Sequence, residues 1–200
     1  VICPTSLKYQ WQSEIARFAG REGENAARVI GGGRAQRQKD YALDDFCKIT
    51  NYEKLKPDID LIAAWAPELV IVDEAQRVKN WNTIAARALK RIDSAYAIVL
   101  TGTPLENKLE ELISIVQFVD QHRLGPTWKL LHEHQVKDEG GRVAGYTGLE
   151  KIGQTLAPIM IRRRKSEVLR QLPSRTDQNL LVPMTEMQML RHQENADVVA

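Results

Sequence analysis

The sequence is poor in the features that would put it in a special class. Only two cysteines occur in 200 residues, Cys3 and Cys47, each inside an apolar, strand-like segment (VIC and FCKIT). That is too few for a disulfide framework and lacks the paired spacing of a zinc site, so both read as reduced packing residues. No apolar run approaches the ~18 residues of a membrane span, and no secretory leader pattern is present. The cytoplasm is therefore the default expectation, with no membrane partner. Neither sign of charge dominates: 28 Lys and Arg face 26 Asp and Glu, for a net charge of +2. That balance neither demands nor excludes nucleic acid, and any basic surface has to be local. The four histidines form no metal-site pattern; His132 and His134 have no cysteine near them.

What is present suits one domain or one and a fraction. Hydrophobic residues make up 43% of the chain, enough to bury a core. The chain opens on VICP without an initiator Met and closes on ENADVVA in a helical pattern, as expected for a piece of a longer protein.

Apolar strands alternate with helices. VIC (1–3) is stopped by Pro4, and a helix follows from about Ser6 to Ala19 with Leu7, Trp11, Ile15 and Phe18 on one face. Trp11, like Trp65, reads as a core anchor. ARVI (27–30) ends in Gly31-Gly32-Gly33; a polar helix from Arg34 to Leu43 precedes the strand FCKIT (46–50), and a helical stretch surrounds Ile59 to Trp65. Then come the strand LVIV (69–72), a helix from Thr83 to Ile92, the strand AIVLT (97–101) and a helix from Glu106 to Val119. Strands that are apolar without period-two alternation predict an α/β fold, a parallel sheet covered on both faces. Residues 1–120 form this sheet domain. Residues 121–160 read as a helical insertion, with helices at 126–134 and 149–159 around a Gly-rich loop at 137–148. Residues 161–200 read as a basic connector, with a strand-like NLLVPM (179–184) before a last helix.

Parallel sheets place ligands at the carboxyl ends of their strands. Three polar motifs leave strands in that direction: Asp73-Glu74, Thr50-Asn51-Tyr52 and Thr101-Gly102-Thr103. Two adjacent carboxylates after a buried strand repel each other unless a cation stands before them. They suit nucleotide hydrolysis, in which one acid holds Mg²⁺ through its water shell and the next deprotonates a water. A solvated strand end would also carry such a pair. The turn in VLTGTPLEN (99–107), on a strand expected nearby, favours the hydrolytic reading; alone it would be a plain strand-to-helix turn.

These motifs stand in an order that resembles the Snf2 family of superfamily 2 helicase-like, DNA-dependent ATPases. The resemblance is carried by VICPTSLKYQWQSEIARFAG, ITNYEKLKPDID, LVIVDEAQRVKN, LTGTPLENKLEEL and IRRRKSEVLRQLPSRT, and is weakest over 21–45 and 121–157. It implies a RecA-like first lobe, ATP with Mg²⁺ as cofactors, and duplex DNA held by its backbone without sequence preference. It also implies roles. Asp73 would be the Mg²⁺ acid, Glu74 the general base, and Gln76 the link from nucleotide to the neighbouring lobe. Thr101, Gly102 and Thr103 would couple hydrolysis to movement. Thr5, Ser6 and Lys8, with Pro4 before them, would contact nucleic acid, as would Thr50, Asn51 and Tyr52. Hydroxyls, helix-start N–H groups and one lysine suit phosphate oxygens better than base edges. The basic run Arg162-Arg163-Arg164-Lys165 has two readings: a solvated basic face or, as the resemblance implies, a segment beside the inter-lobe connection that braces the lobes or meets phosphate.

One family feature is missing. Such enzymes carry a phosphate loop ending Gly-Lys-Thr or Gly-Lys-Ser, and no Gly-Lys dipeptide occurs here. Gly33 is followed by Arg34 and Ala35, so the triple glycine reads as a turn. The loop is expected upstream of Val1 and the second lobe downstream of Ala200, which leaves these 200 residues inactive alone. Two alternatives stay open: an RNA-dependent or strand-separating relative, and a non-enzymatic interaction module whose nucleotide site has decayed. The compartment would follow the organism, nucleoid in a bacterium or nucleus in a eukaryote. Any protein partner stays open.

Overall fold

The computed structural model describes residues 1–19, 26–78, 83–102, 108–163 and 178–199, with the side chains at 78 and 194–199 excepted. Two compact units result, Val1–Met160 and Ile161–Ala200. The first is built on a five-stranded parallel sheet of β1 (Ile2–Cys3), β2 (Ala27–Val29), β3 (Cys47–Asn51), β4 (Leu69–Val72) and β5 (Tyr96–Val99), in the order β2-β3-β1-β4-β5. The chain fills one side of β1 and then crosses over it to β4, which makes the carboxyl end of β1 a switch point where clefts form.

Helices α1 (Lys8–Phe18), α2 (Arg34–Ala42), α3 (Tyr52–Trp65), α4 (Ile84–Leu89) and α5 (Leu109–Val119) pack around the sheet. Successive strand residues point to opposite faces. Ile2, Val70 and Val72 accordingly join Tyr41, Leu55, Ile62 and Leu89 in one core. Cys3, Ala27 and Ile49 meet Leu7, Trp11 and Ile15 of α1 in another. Both cysteines are free thiols, and burial pushes the Cys3 pKa up to about 11.

The two cores put helices on both faces of the sheet; among the described residues part of one face stays open at β4 and β5. There Leu69, Tyr96, Ile98 and Leu100 are exposed, Tyr96 at 70%. Because the exposed face is apolar as well, the alternation that marks a half-covered sheet is absent from the sequence. Helix α3 begins at Tyr52, directly after β3, rather than near Ile59. Pro57 in its second turn and the polar residues around it hide the stripe that Tyr52, Leu55 and Ile62 bury. β5 ends at Val99, before Leu100 and Thr101.

α5 is apolar on two sides. Phe118 packs on the sheet core, while Leu109, Leu112, Ile113 and Val116 meet Leu124, Leu130, Ile152 and Leu156 beyond it. Those partners come from the 121–160 stretch, through α6 (Thr127–His134) and α7 (Leu149–Leu156). Between these helices the Gly-rich stretch is a β-hairpin and not a loop: β6 (Gln135–Lys137) pairs antiparallel with β7 (Val143–Tyr146). Its turn is closed by Gly141 N–H on Asp138 O at 3.0 Å, with Gly141 at φ 76°, a conformation glycine adopts without strain. In the second unit NLLVPM forms no strand; it is exposed and leads to α8 (Glu186–Val199).

Candidate active site

β1, β3, β4 and β5 end on one rim. Ile2 is level with Thr50 on one side and Val72 on the other, and Val72 is level with Val99. Asp73 therefore leaves the middle of the sheet with its N–H still on Ile2 O at 2.8 Å. Glu74 then turns the chain at φ 54°, a left-handed conformation that costs a residue with a Cβ about 1–3 kcal/mol. Ala75 N–H on Leu100 O at 3.1 Å and Arg77 N–H on Glu74 O at 3.0 Å hold the bend, which opens a 3₁₀ turn over Ala75–Val78. Both acids are half-buried.

Asp73 is gripped from three sides. Its Oδ2 accepts the Trp11 indole N–H at 2.8 Å, its Oδ1 accepts Glu74 N–H at 2.9 Å, and its carbonyl accepts the Tyr52 hydroxyl at 2.5 Å. Burial, and then the neighbouring Asp73 carboxylate, push the Tyr52 pKa up, so the phenol stays a donor. Glu74 belongs to a second chain of bonds. Thr101 Oγ1 donates to Gln76 Oε1 at 2.8 Å, and Gln76 Nε2 donates to Glu74 Oε2. One amide side chain thus joins Glu74 to the Thr101 hydroxyl just beyond β5. Gly102 is exposed beside Thr101, while Thr103 lies outside the described residues.

The residues expected to meet nucleic acid divide. Thr5 and Ser6 are exposed at the start of α1. Lys8, Thr50, Asn51 and Tyr52 are buried. Lys8 Nζ donates inward to Ile30 O at 2.9 Å, and Asn51 Nδ2 donates to Thr5 Oγ1 at 2.8 Å and Glu53 Oε2 at 2.7 Å. Lys8, Asn51 and Tyr52 thus direct their donors to the rim itself. Arg162 and Arg163 are exposed in the second unit, while Arg164 and Lys165 fall outside the described residues.

Asp73 fits a magnesium ion. Its hard carboxylate oxygens offer about four lone-pair sites, two of which are taken by the N–H groups above. A triphosphate finds no cradle among these residues. Gly31–Gly33 follow β2, three strand spacings or roughly 14 Å from β4. Arg34 beyond them is committed to Asp58 at 3.2 Å and Asp60 at 2.5 Å.

The role of Trp11 was missed in the sequence. Its spacing from Leu7 and Ile15 signals only an apolar stripe, and nothing local announces a partner 62 residues away.

A parallel sheet with an acid pair at the end of a central strand, tied by an amide to a hydroxyl just past the end of the next strand, defines a RecA-like α/β lobe. The comparisons narrow the class. The family model for the SNF2-related domain matches residues 1–199. An uncharacterized ATP-dependent helicase of Mycoplasma genitalium is 30% identical over 186 residues, covering 93% of this chain and 17% of that protein. Mouse chromodomain-helicase-DNA-binding protein 1-like is 30% identical over 188 residues, covering 88% of this chain and 20% of that protein. Among solved structures, the Sulfolobus solfataricus SWI2/SNF2 ATPase core in complex with dsDNA superposes with a TM-score of 0.66 at 27% identity, covering 98% of this chain and 40% of that one. The chain belongs to the SNF2-related domain family. It spans about a fifth of the length of these two curated relatives.

Proposed function

We propose that the chain is most of the first lobe of an ATP-driven motor that moves along duplex DNA without separating its strands. The observation that carries this reading is the joined set Asp73, Glu74, Gln76 and Thr101 on one rim. Residues 1–120 form the ATPase lobe, 121–160 an insertion braced on α5, and 161–200 the connector toward a second lobe. Asp73 would hold Mg²⁺, and the ion, when bound, would supply positive charge for phosphoryl transfer from ATP. Glu74 takes the proton of the attacking water, with one carboxylate oxygen fixed by Gln76. Gln76 and Thr101 carry the state of the acids to the end of β5 and, with Gly102 and Thr103, toward the second lobe. Thr5 and Ser6 meet DNA phosphates, positioned by Asn51; such contacts carry no base information.

The test is steady-state ATP hydrolysis by the full-length protein with duplex DNA, single strands or RNA of equal length. Stimulation by duplex in excess of the other two is expected. Stimulation by RNA alone would assign the motor to RNA. The absence of ATP binding would leave an interaction module.

A further inference from the structure

Helix α1 joins the rim to the acid. Its entry turn, Thr5–Leu7, is tied to the end of β3 by Asn51 on Thr5 at 2.8 Å. Lys8 fixes the next residue to Ile30 O. Trp11, less than one turn further, donates to Asp73 Oδ2 at 2.8 Å, and its ring packs against the Cys3, Ala27 and Ile49 core. A phenylalanine would keep an aromatic ring against that core at the cost of a small gap, so packing alone does not call for an N–H donor aimed at Asp73. The indole N–H can only donate, so its polarity toward the carboxylate cannot invert. Fixing one oxygen of a metal-holding acid is what outer-shell donors do, and their loss typically lowers metal affinity or activity about 10- to 100-fold.

We infer that Trp11 is a positioning residue for Asp73: its indole fixes the rotamer of the metal-holding carboxylate and carries the seating of Thr5 and Ser6 on a DNA backbone to that acid along α1. This rests on the nucleotide-hydrolysing reading of the site. Helix α1 rises about 1.5 Å per residue, so the exposed turn and the indole are only about 8 Å apart along it, within one rigid element. Tyr52, at the start of α3, holds the Asp73 carbonyl in the same way. A shift of the rim has two routes to one residue.

The test uses Trp11→Phe in the full-length protein. Nucleotide affinity is measured with a non-hydrolysed ATP analogue over a Mg²⁺ titration and in EDTA, together with duplex affinity and the ratio of hydrolysis with and without duplex. The expected result is a Mg²⁺ midpoint raised about tenfold, with nucleotide affinity in EDTA unchanged. Duplex affinity should stay within about twofold while the stimulation ratio falls severalfold. A wild-type Mg²⁺ midpoint and ratio in the variant would overturn the inference; a shifted midpoint with a wild-type ratio would overturn transmission along α1.

A second measurement reads Trp11 itself. The ¹⁵N-indole resonances of the wild-type full-length protein, with the Trp11 signal identified by its loss from the Trp11→Phe spectrum, should show that signal moving when Mg²⁺-nucleotide or duplex is added. A signal indifferent to both would overturn the inference. Failure of the hydrolytic reading itself is visible in the wild-type arm alone, as an absence of Mg²⁺-dependent nucleotide binding.

Discussion

Asparagine at 73 and glutamine at 74 are nearly equal in size to the acids they replace, yet the hydrogen bonds around them predict different failures. Asp73 accepts from two donors, the Trp11 indole on Oδ2 and Glu74 N–H on Oδ1. Asparagine has one acceptor oxygen, so its amide nitrogen must face one of those donors, and that N–H loses its partner. A buried donor left unpaired costs about 1–3 kcal/mol, toward the lower end here because Asp73 is half-buried. Asp73→Asn should therefore lose stability as well as Mg²⁺-dependent nucleotide binding. Glu74→Gln is different. Its one bonded oxygen accepts from Gln76, an interaction a glutamine oxygen also makes, so the Thr101–Gln76 chain stays closed. What is lost is a basic oxygen for water, and general-base removal typically lowers turnover about 10²- to 10⁴-fold. Denaturant unfolding, nucleotide affinity and single-turnover hydrolysis of both full-length variants check this. Near wild-type turnover in Glu74→Gln, or stability and Mg²⁺-nucleotide affinity in Asp73→Asn equal to those of the wild type, would refute the assignment.

Other outcomes follow from the same contacts. The 200-residue chain alone should show no DNA-stimulated ATP hydrolysis, since it has no Gly-Lys cradle; turnover abolished by Glu74→Gln would contradict this. Binding of duplex by the chain should be weak and lost with modest salt, each lysine or arginine that neutralises a phosphate adding about a 3.5-fold loss between 50 and 200 mM; tight binding with a flat salt titration would overturn it. Lys8→Gln should cost about 1–3 kcal/mol of stability while leaving duplex affinity within about twofold, because the ammonium is spent on Ile30 O; a loss confined to DNA affinity would return Lys8 to the surface. Burial raises the Asp45 pKa, but hydrogen bonds from Arg28 and Lys48 outweigh it and hold the group below its ordinary value. A depressed carboxylate contributes stability above its unfolded pKa of about 3.9 and loses it as pH falls through the folded value. Acid unfolding monitored by circular dichroism should therefore begin below about pH 4 and be less pH-dependent in Asp45→Asn; an unchanged profile would rule out this contribution.

Much of the fold and most of the rim could be read from the chain because local signals carry them. Apolar runs ended by Pro4, Asn51, Asp73 and Thr101 mark the strand ends, and a parallel sheet gathers such ends on one side. The contacts that organise the rim are long-range and leave no local trace. Trp11 reaches Asp73 across 62 residues, and Lys8 turns inward because Ile30 O lies within its reach. The hairpin at 135–146 has strands of three and four residues around a charged, glycine-containing turn, too short and too polar for a period-two signal. NLLVPM shows the opposite case: its apolar, β-prone residues read as a strand, but no partner strand pairs with it among the described residues. Strand propensity expresses packing against neighbours more than a backbone preference.

The central claim is motion along duplex DNA driven by the Asp73–Glu74 site, and displacement of a third strand tests it most directly. Full-length protein is loaded on a duplex carrying a triplex-forming strand, and release of that strand is followed with ATP, without ATP, and for Glu74→Gln. ATP-dependent release is expected from the wild type only, with the two duplex strands remaining paired. Release without ATP, equal release by Glu74→Gln, or separation of the duplex strands would contradict it.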